Sequence, residues 1–232
     1  MKGPVLTWAM LPIALLFSGF TDTKPRDSSS TVEVTNNSAN WLMYGRTHDD
    51  QRFSPLNQIN EQTVANLGLV WSQELDTTRG LEATPIVEDG VIYTTGAWNI
   101  VYAMDAKTGK TLWQYDPAVD QSRAYFLCCD AVNRGVALYR DTVYEGTLDG
   151  RLIALDKRTG RMQWNTQTTD VSQAYSITGA PRIANRYCNV NLTSRAVNVL
   201  ATSVARHSRV NSSITTSSFN CRPSSVRSTR KS

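Results

Sequence analysis

Cys128-Cys129-Asp130-Ala131-Val132-Asn133-Arg134-Gly135 is the stretch whose residue types could do chemistry. Neighbouring cysteines can close into a small disulfide ring, but their Cα atoms sit closer than an ordinary disulfide prefers, so the peptide between them must distort. Such a ring is flat, hard and polarizable, which suits it to cover a planar cofactor. Arg134 adds a fixed cationic fork for carboxylate or carbonyl oxygens. The same two cysteines could equally be ordinary buried thiols, and the surrounding sequence has to decide.

What positions this stretch is a repeat. Ala103-Met104-Asp105-Ala106-Lys107-Thr108-Gly109-Lys110-Thr111-Leu112-Trp113 matches Ala154-Leu155-Asp156-Lys157-Arg158-Thr159-Gly160-Arg161-Met162-Gln163-Trp164 at Ala, Asp, Thr, Gly and Trp. Each copy follows a strand pair, Val91-Ile92-Tyr93 with Val101-Tyr102-Ala103 and Thr142-Val143-Tyr144 with Leu152-Ile153-Ala154. Asp-x-x-Thr-Gly then makes a tight turn before a strand that carries Trp. One such unit cannot bury both its faces, so copies pack around an axis as propeller blades with the Trp docked between neighbours. A β-sandwich with two accidentally similar hairpins is the competing architecture.

Upstream, Pro85 to Tyr93 reads as a hairpin turning at Asp89-Gly90, Leu67 to Ser72 as a strand, and Glu61 to Leu67 as a short helix starting at Asn60. Downstream, Ile177-Thr178-Gly179-Ala180-Pro181 parallels Leu81-Glu82-Ala83-Thr84-Pro85 and opens a third copy. A strand pair, an Asp-x-x-Thr-Gly turn and a Trp should follow, and none is legible.

Composition divides the chain unevenly. The 232 residues are 41% hydrophobic with six Trp, enough for a core, and the net charge is +4. From Arg186 onward there are eight Lys and Arg and no acid, so the basic balance belongs to the tail and gives no nucleic-acid signal. Lys2 and the apolar run Val5 to Phe17 read as a secretory signal peptide, too short to span a bilayer. Export would place the cysteines in an oxidising compartment. The expected organisation is signal peptide 1–20, flexible mature N-terminus 21–39, partial propeller 40–185 and a basic Ser/Thr-rich, disordered tail 186–232, whose onset inside a repeat reads as an out-of-frame translation. His48 and His207 show no ligand spacing with the cysteines, so a metal site is not indicated.

WLMYGRTHDDQRFSPLNQIN at 41–60, GLEATP at 80–85, CCDAVNRG at 128–135 and SITGAP at 176–181, together with the tryptophan repeat, resemble the pyrroloquinoline quinone (PQQ) dependent methanol and ethanol dehydrogenases. The resemblance covers residues 38 to 185. It implies an all-β fold, the first blades of an eight-bladed quinoprotein propeller. It implies oxidation of a small primary alcohol, with PQQ and Ca²⁺ as cofactors, a periplasmic or secreted location, and a c-type cytochrome as electron acceptor.

Position by position, Glu82 matches the carboxylate that hydrogen-bonds PQQ. Cys128 and Cys129 match the vicinal disulfide stacked on one face of the quinone, Arg134 the arginine near its oxygens, and Thr178 a hydroxyl on one of its carboxylates. The calcium ligands, the catalytic base and the Trp of the other face match nothing in this chain, and no Cys-x-x-Cys-His haem motif is present. An isolated chain of this kind is expected to have open sheet edges, to fold poorly and to aggregate. The alternatives are a non-catalytic propeller scaffold, for which the Cys128-Cys129 pair would have no use, and an inactive truncated product.

Overall fold

A computed structural model describes residues 37–127, 129–184, 187–191, 193–194 and 216–220. The expected signal peptide and most of the expected flexible N-terminus lie outside the described residues, as does Cys128.

Two four-stranded antiparallel meanders carry the fold, β1 to β4 and β5 to β8, each in the order of the chain. The first comprises β1 (Ile86–Glu88), β2 (Val91–Thr95), β3 (Val101–Asp105) and β4 (Thr111–Tyr115). The second comprises β5 (Ala137–Tyr139), β6 (Thr142–Gly146), β7 (Arg151–Asp156) and β8 (Met162–Gln167). The hairpin expected at Asp89-Gly90 is present, and both residues take positive φ, 48° and 80°.

The repeat is reproduced down to its register. Tyr93 pairs with Ala103 and Ala103 with Trp113, as Tyr144 pairs with Ala154 and Ala154 with Trp164. The small alanine lets the flanking rings meet across it, at centroid distances of 6.1 Å for Tyr93 and Trp113 and 6.0 Å for Tyr144 and Trp164. Both copies then shift register after the alanine.

Each turn is built the same way. Asp105 Oδ1 accepts hydrogen bonds from the Thr108 amide at 2.8 Å and hydroxyl at 2.7 Å, and Asp156 Oδ1 from those of Thr159 at the same distances. The hydroxyl bonds hold both carboxyls below the usual carboxylate range. Gly160, at φ 70°, closes the second turn, and a Cβ there would stand 2.6 Å from the Trp113 ring. Trp113 Nε1 donates to Lys157 O at 3.0 Å, so the tryptophan of one blade is clamped on the turn of the next.

A third docking tryptophan escaped the sequence reading. Trp71 Nε1 donates to Ala106 O at 3.1 Å, and its ring covers Gly109. Trp71 therefore does for the first blade what Trp113 does for the second. The segment carrying it, Leu67 to Ser72, forms no strand, contrary to expectation: it has no pairing partner among the described residues, and Leu69 and Val70 are each 85% exposed. The expected helix reduces to one 3-10 turn, Val64–Asn66, after Asn60 Oδ1 caps the amides of Gln62 and Thr63.

Strands β6 and β7 are buried on both faces because each face meets a different neighbour. Val143, Ile153 and Leu155 pack against Ile86, Tyr93, Val101 and Ala103 of the first blade. Tyr144, Leu152 and Ala154 pack the other way, against Ile177, Ile183 and Cys188. Each Val, Leu or Ile side chain so buried adds about 1.5–3 kcal/mol.

The third copy goes further than the sequence indicated. β10 (Arg182–Ala184) pairs antiparallel with β11 (Tyr187–Asn191), so a strand pair does follow Pro181. β11 then pairs with β13 (Thr216–Asn220), while β9 (Tyr175–Ser176) pairs with β12 (Thr193–Ser194). Within the segment 186–232 expected as a disordered tail, β11, β12 and β13 are described and the remainder lies outside the described residues. β11 and β13 pair because each offers a backbone ladder, which needs no particular side chains.

Candidate functional site

The loop from Leu127 to Gly135 joins the two blades, and its apolar side chains anchor it. Leu127 and Ala131 pack with Val119, Leu148 and Trp98, and Val132 is buried. The Trp98 amide donates to Ala131 O at 3.0 Å. Arg79 contacts the Asp130 carboxylate while its guanidinium lies 5.1 Å over the Trp98 ring. Apolar packing, one backbone hydrogen bond and an exposed ion pair thus tether the residues that follow the cysteine pair.

Of the residues singled out in the sequence, Glu82, Arg134 and Thr178 come together. Arg134 Nη2 lies 2.8 Å from Glu82 Oε2, with the two side chains 43% and 42% exposed. A pair so open contributes about 0–1 kcal/mol, so it orients the guanidinium without sealing it off. The Arg134 amide donates to Thr178 O at 2.9 Å, and Thr178 is buried. Cys129 is disulfide-bonded and lies on the same loop, five residues before Arg134. Arg134 also lines a cleft of about 300 Å³ where β1, β5 and β10 converge, with Ile86, Val136, Leu138 and Ile183 beneath it.

Sequence reasoning missed three buried polar residues around this loop. Asn133 bonds Thr95, Gly135 and Gly146, and Asn99 donates from Nδ2 to Gly146 O at 3.1 Å and accepts from the Leu148 amide at 2.9 Å. Glu145 lies fully buried on the Val143 face of β6, and neither carboxyl oxygen has a hydrogen-bond partner. Burial pushes its pKa well above the usual carboxylate range, which the nearby Asn99 amide and Arg151 guanidinium offset only in part. The legible signal was a charge at an inward position of an alternating strand; for the asparagines there was none. Cys188 is buried and disulfide-bonded, which nothing in the sequence distinguished.

Among the described residues no three His, Cys, Asp or Glu side chains are grouped to hold a metal ion, and no helix is long and apolar enough to cross a membrane.

The site and the blades that carry it match known proteins. The PQQ glucose/ethanol/alcohol dehydrogenase β-propeller domain matches residues 41–183. Quinohemoprotein alcohol dehydrogenase ADH IIB of Pseudomonas putida is 52% identical over 188 residues, which are 79% of this chain and 26% of that protein. The 1-butanol dehydrogenase (cytochrome c) of Thauera butanivorans is 49% identical over 144 residues, 62% of this chain and 21% of that protein. The solved structure of quinohemoprotein alcohol dehydrogenase ADHIIG from Pseudomonas putida HK5 superposes with a TM-score of 0.70 at 43% identity, covering 80% of this chain and 25% of that one. The chain thus spans about a quarter of the length of the curated relatives it matches. With both blades, the cysteine-arginine loop and the Glu82 segment inside the matched range, the chain belongs to the PQQ glucose/ethanol/alcohol dehydrogenase β-propeller family.

Proposed function

We propose that this chain supplies part of the cofactor cradle of a periplasmic PQQ-dependent alcohol dehydrogenase, which oxidises small primary alcohols and passes electrons to a c-type cytochrome. The observation that carries this reading is the meeting of Glu82, Arg134 and Thr178, from three separate segments, with the disulfide-bonded Cys129 on the same loop as Arg134. PQQ is a planar tricarboxylate with quinone oxygens, and the donor set suits it. Arg134 would bind its oxygens, Glu82 would accept from its ring N–H while holding Arg134 in place, the Thr178 hydroxyl would hold a carboxylate, and the disulfide would cover one face. When bound, the quinone supplies the two-electron acceptor for alcohol oxidation.

The half-open setting of Arg134 and Glu82 lets a ligand reach them. Calcium fits less well: Glu82 is engaged by Arg134, and no carboxylate cluster lies among the described residues. No step is therefore assigned to a metal on this chain, and the base that takes the alcohol proton is expected outside these blades. The cytochrome acceptor is supported by the name of the Thauera butanivorans relative, and the periplasmic location by the leader-like first residues.

Equilibrium dialysis of PQQ against the purified chain tests this. Weak but saturable binding is expected of this partial cradle, weakened further about tenfold or more in Arg134→Ala through loss of a charge-assisted contact. Absence of saturable binding, or equal binding by the variant, would overturn the reading.

A further inference from the structure

We propose that Asn133 is a positioning residue, whose side chain ties the Cys129 to Gly135 loop to the ends of both blades and so sets where Arg134 faces Glu82. Asn133 is 1% exposed, and its amide is used at both ends. Oδ1 accepts from the Gly135 amide at 2.7 Å and from Thr95 Oγ1 at 2.9 Å, and Nδ2 donates to Gly146 O at 2.9 Å. Thr95 is the last residue of β2 and Gly146 the last of β6. One side chain therefore references the loop to the equivalent corner of each blade.

Arg134 lies between the two residues so fixed. Its own amide is held by Thr178 O, and the amide that follows it, Gly135, is held by Asn133. Gly135 needs its glycine for this path: φ is 114°, and a Cβ would stand 3.1 Å from Thr84 O. With the backbone set on both sides, the guanidinium has only its own rotamers left to reach Glu82. Truncation of Asn133 would leave the buried Gly135 amide without its partner, remove one bond from Gly146 O, and leave Thr95 Oγ1 with only the longer bond to Asn133 O at 3.4 Å, a setting where unmade bonds are costly. Asn99 is the natural control, because it bonds the same Gly146 carbonyl but makes no hydrogen bond to residues 129–135.

The binding arm of the test rests on the cofactor reading above; the proteolysis arm does not. The purified full chain, wild type and Asn133→Ala, Thr95→Val and Asn99→Ala, is digested briefly with trypsin, and cleavage after each arginine is followed by mass spectrometry. Wild-type Arg134 should be cut more slowly than exposed Arg158. Asn133→Ala should raise cleavage after Arg134 about tenfold with little change at Arg158 or Arg151, Thr95→Val less so, and Asn99→Ala should leave Arg134 as in wild type. PQQ dialysis of the same proteins should show weaker binding in Asn133→Ala and unchanged binding in Asn99→Ala. Arg134 cut as readily as Arg158 in wild type, a rise at all sites alike, or identical behaviour of the two asparagine variants would overturn the proposal. If Asn133→Ala does not fold, the milder Thr95→Val decides by whether Arg134 alone is exposed. If wild type binds no PQQ, the cofactor reading falls and the cleavage pattern still decides the role of Asn133.

Discussion

Glu145 shows how a single side chain can work against the seam it occupies. It lies between blades, where the corresponding position of the first blade, one residue past the matched tyrosine, is the uncharged Thr94. Besides Asn99, the charged groups acting on it are Arg151, which opposes the upward shift, and Asp149 and Asp116, which add to it. Below the ordinary carboxylate range folded and unfolded chains both hold the proton. As pH rises above that range the unfolded chain ionises while the folded chain keeps its proton, so stability falls until the raised folded pKa is reached. Glu145→Gln should remove this loss, flattening the fall of the unfolding free energy, read from urea titrations at successive pH values above the ordinary carboxylate range, by up to about 1.4 kcal/mol per pH unit. A variant with the same pH slope as wild type would show that the carboxyl is not buried in the native chain. Asp105 and Asp156 act in the opposite sense and in a lower window: their depressed pKa values favour folding above the usual carboxylate range, a contribution lost on acidification.

At the scale of the element, the tryptophans separate what repetition can show from what it cannot. The Asp-x-x-Thr-Gly turn, the Tyr-Ala-Trp ladder and the docking of Trp113 follow from residue spacing because each is local or one repeat away. Trp71 was invisible to the same reading since it lies outside both copies of the repeat, and Asn133 because its partners, Thr95 and Gly146, come together only when two blades meet. The Glu82 to Arg134 contact could not be read for the same reason, although both residues were marked by their motifs. Trp164 completes the series by default. Its Nε1 is buried without a hydrogen-bond partner, while Trp113 Nε1 donates to Lys157 O. No Asp-x-x-Thr-Gly turn follows Trp164 in the sequence to offer the equivalent carbonyl. Trp113→Phe should therefore destabilise the chain by about 1 kcal/mol more than Trp164→Phe in urea unfolding, since both lose similar ring volume and only the first loses a bond. Equal losses would contradict the docking role assigned to Trp113.

Across the whole molecule, two blades share one core while their outer approaches stay open. Lys157 reaches back to Glu88 at 2.7 Å across the seam, and Trp41 forms one antiparallel bridge to Val87 of β1. The Leu67 to Val70 stretch is left facing solvent with its apolar side chains, a surface that favours self-association. Light scattering at rising concentration should show it, and Leu69→Lys with Val70→Lys should reduce it. The central claim, that the loop after the cysteine pair is a cofactor cradle, is tested most directly by footprinting arginines with phenylglyoxal in dilute protein, with and without PQQ. PQQ should protect Arg134 and leave Arg158 equally reactive in both. Protection absent at Arg134 while PQQ is bound, or present at Arg158 alone, would place the cofactor elsewhere and contradict the cradle.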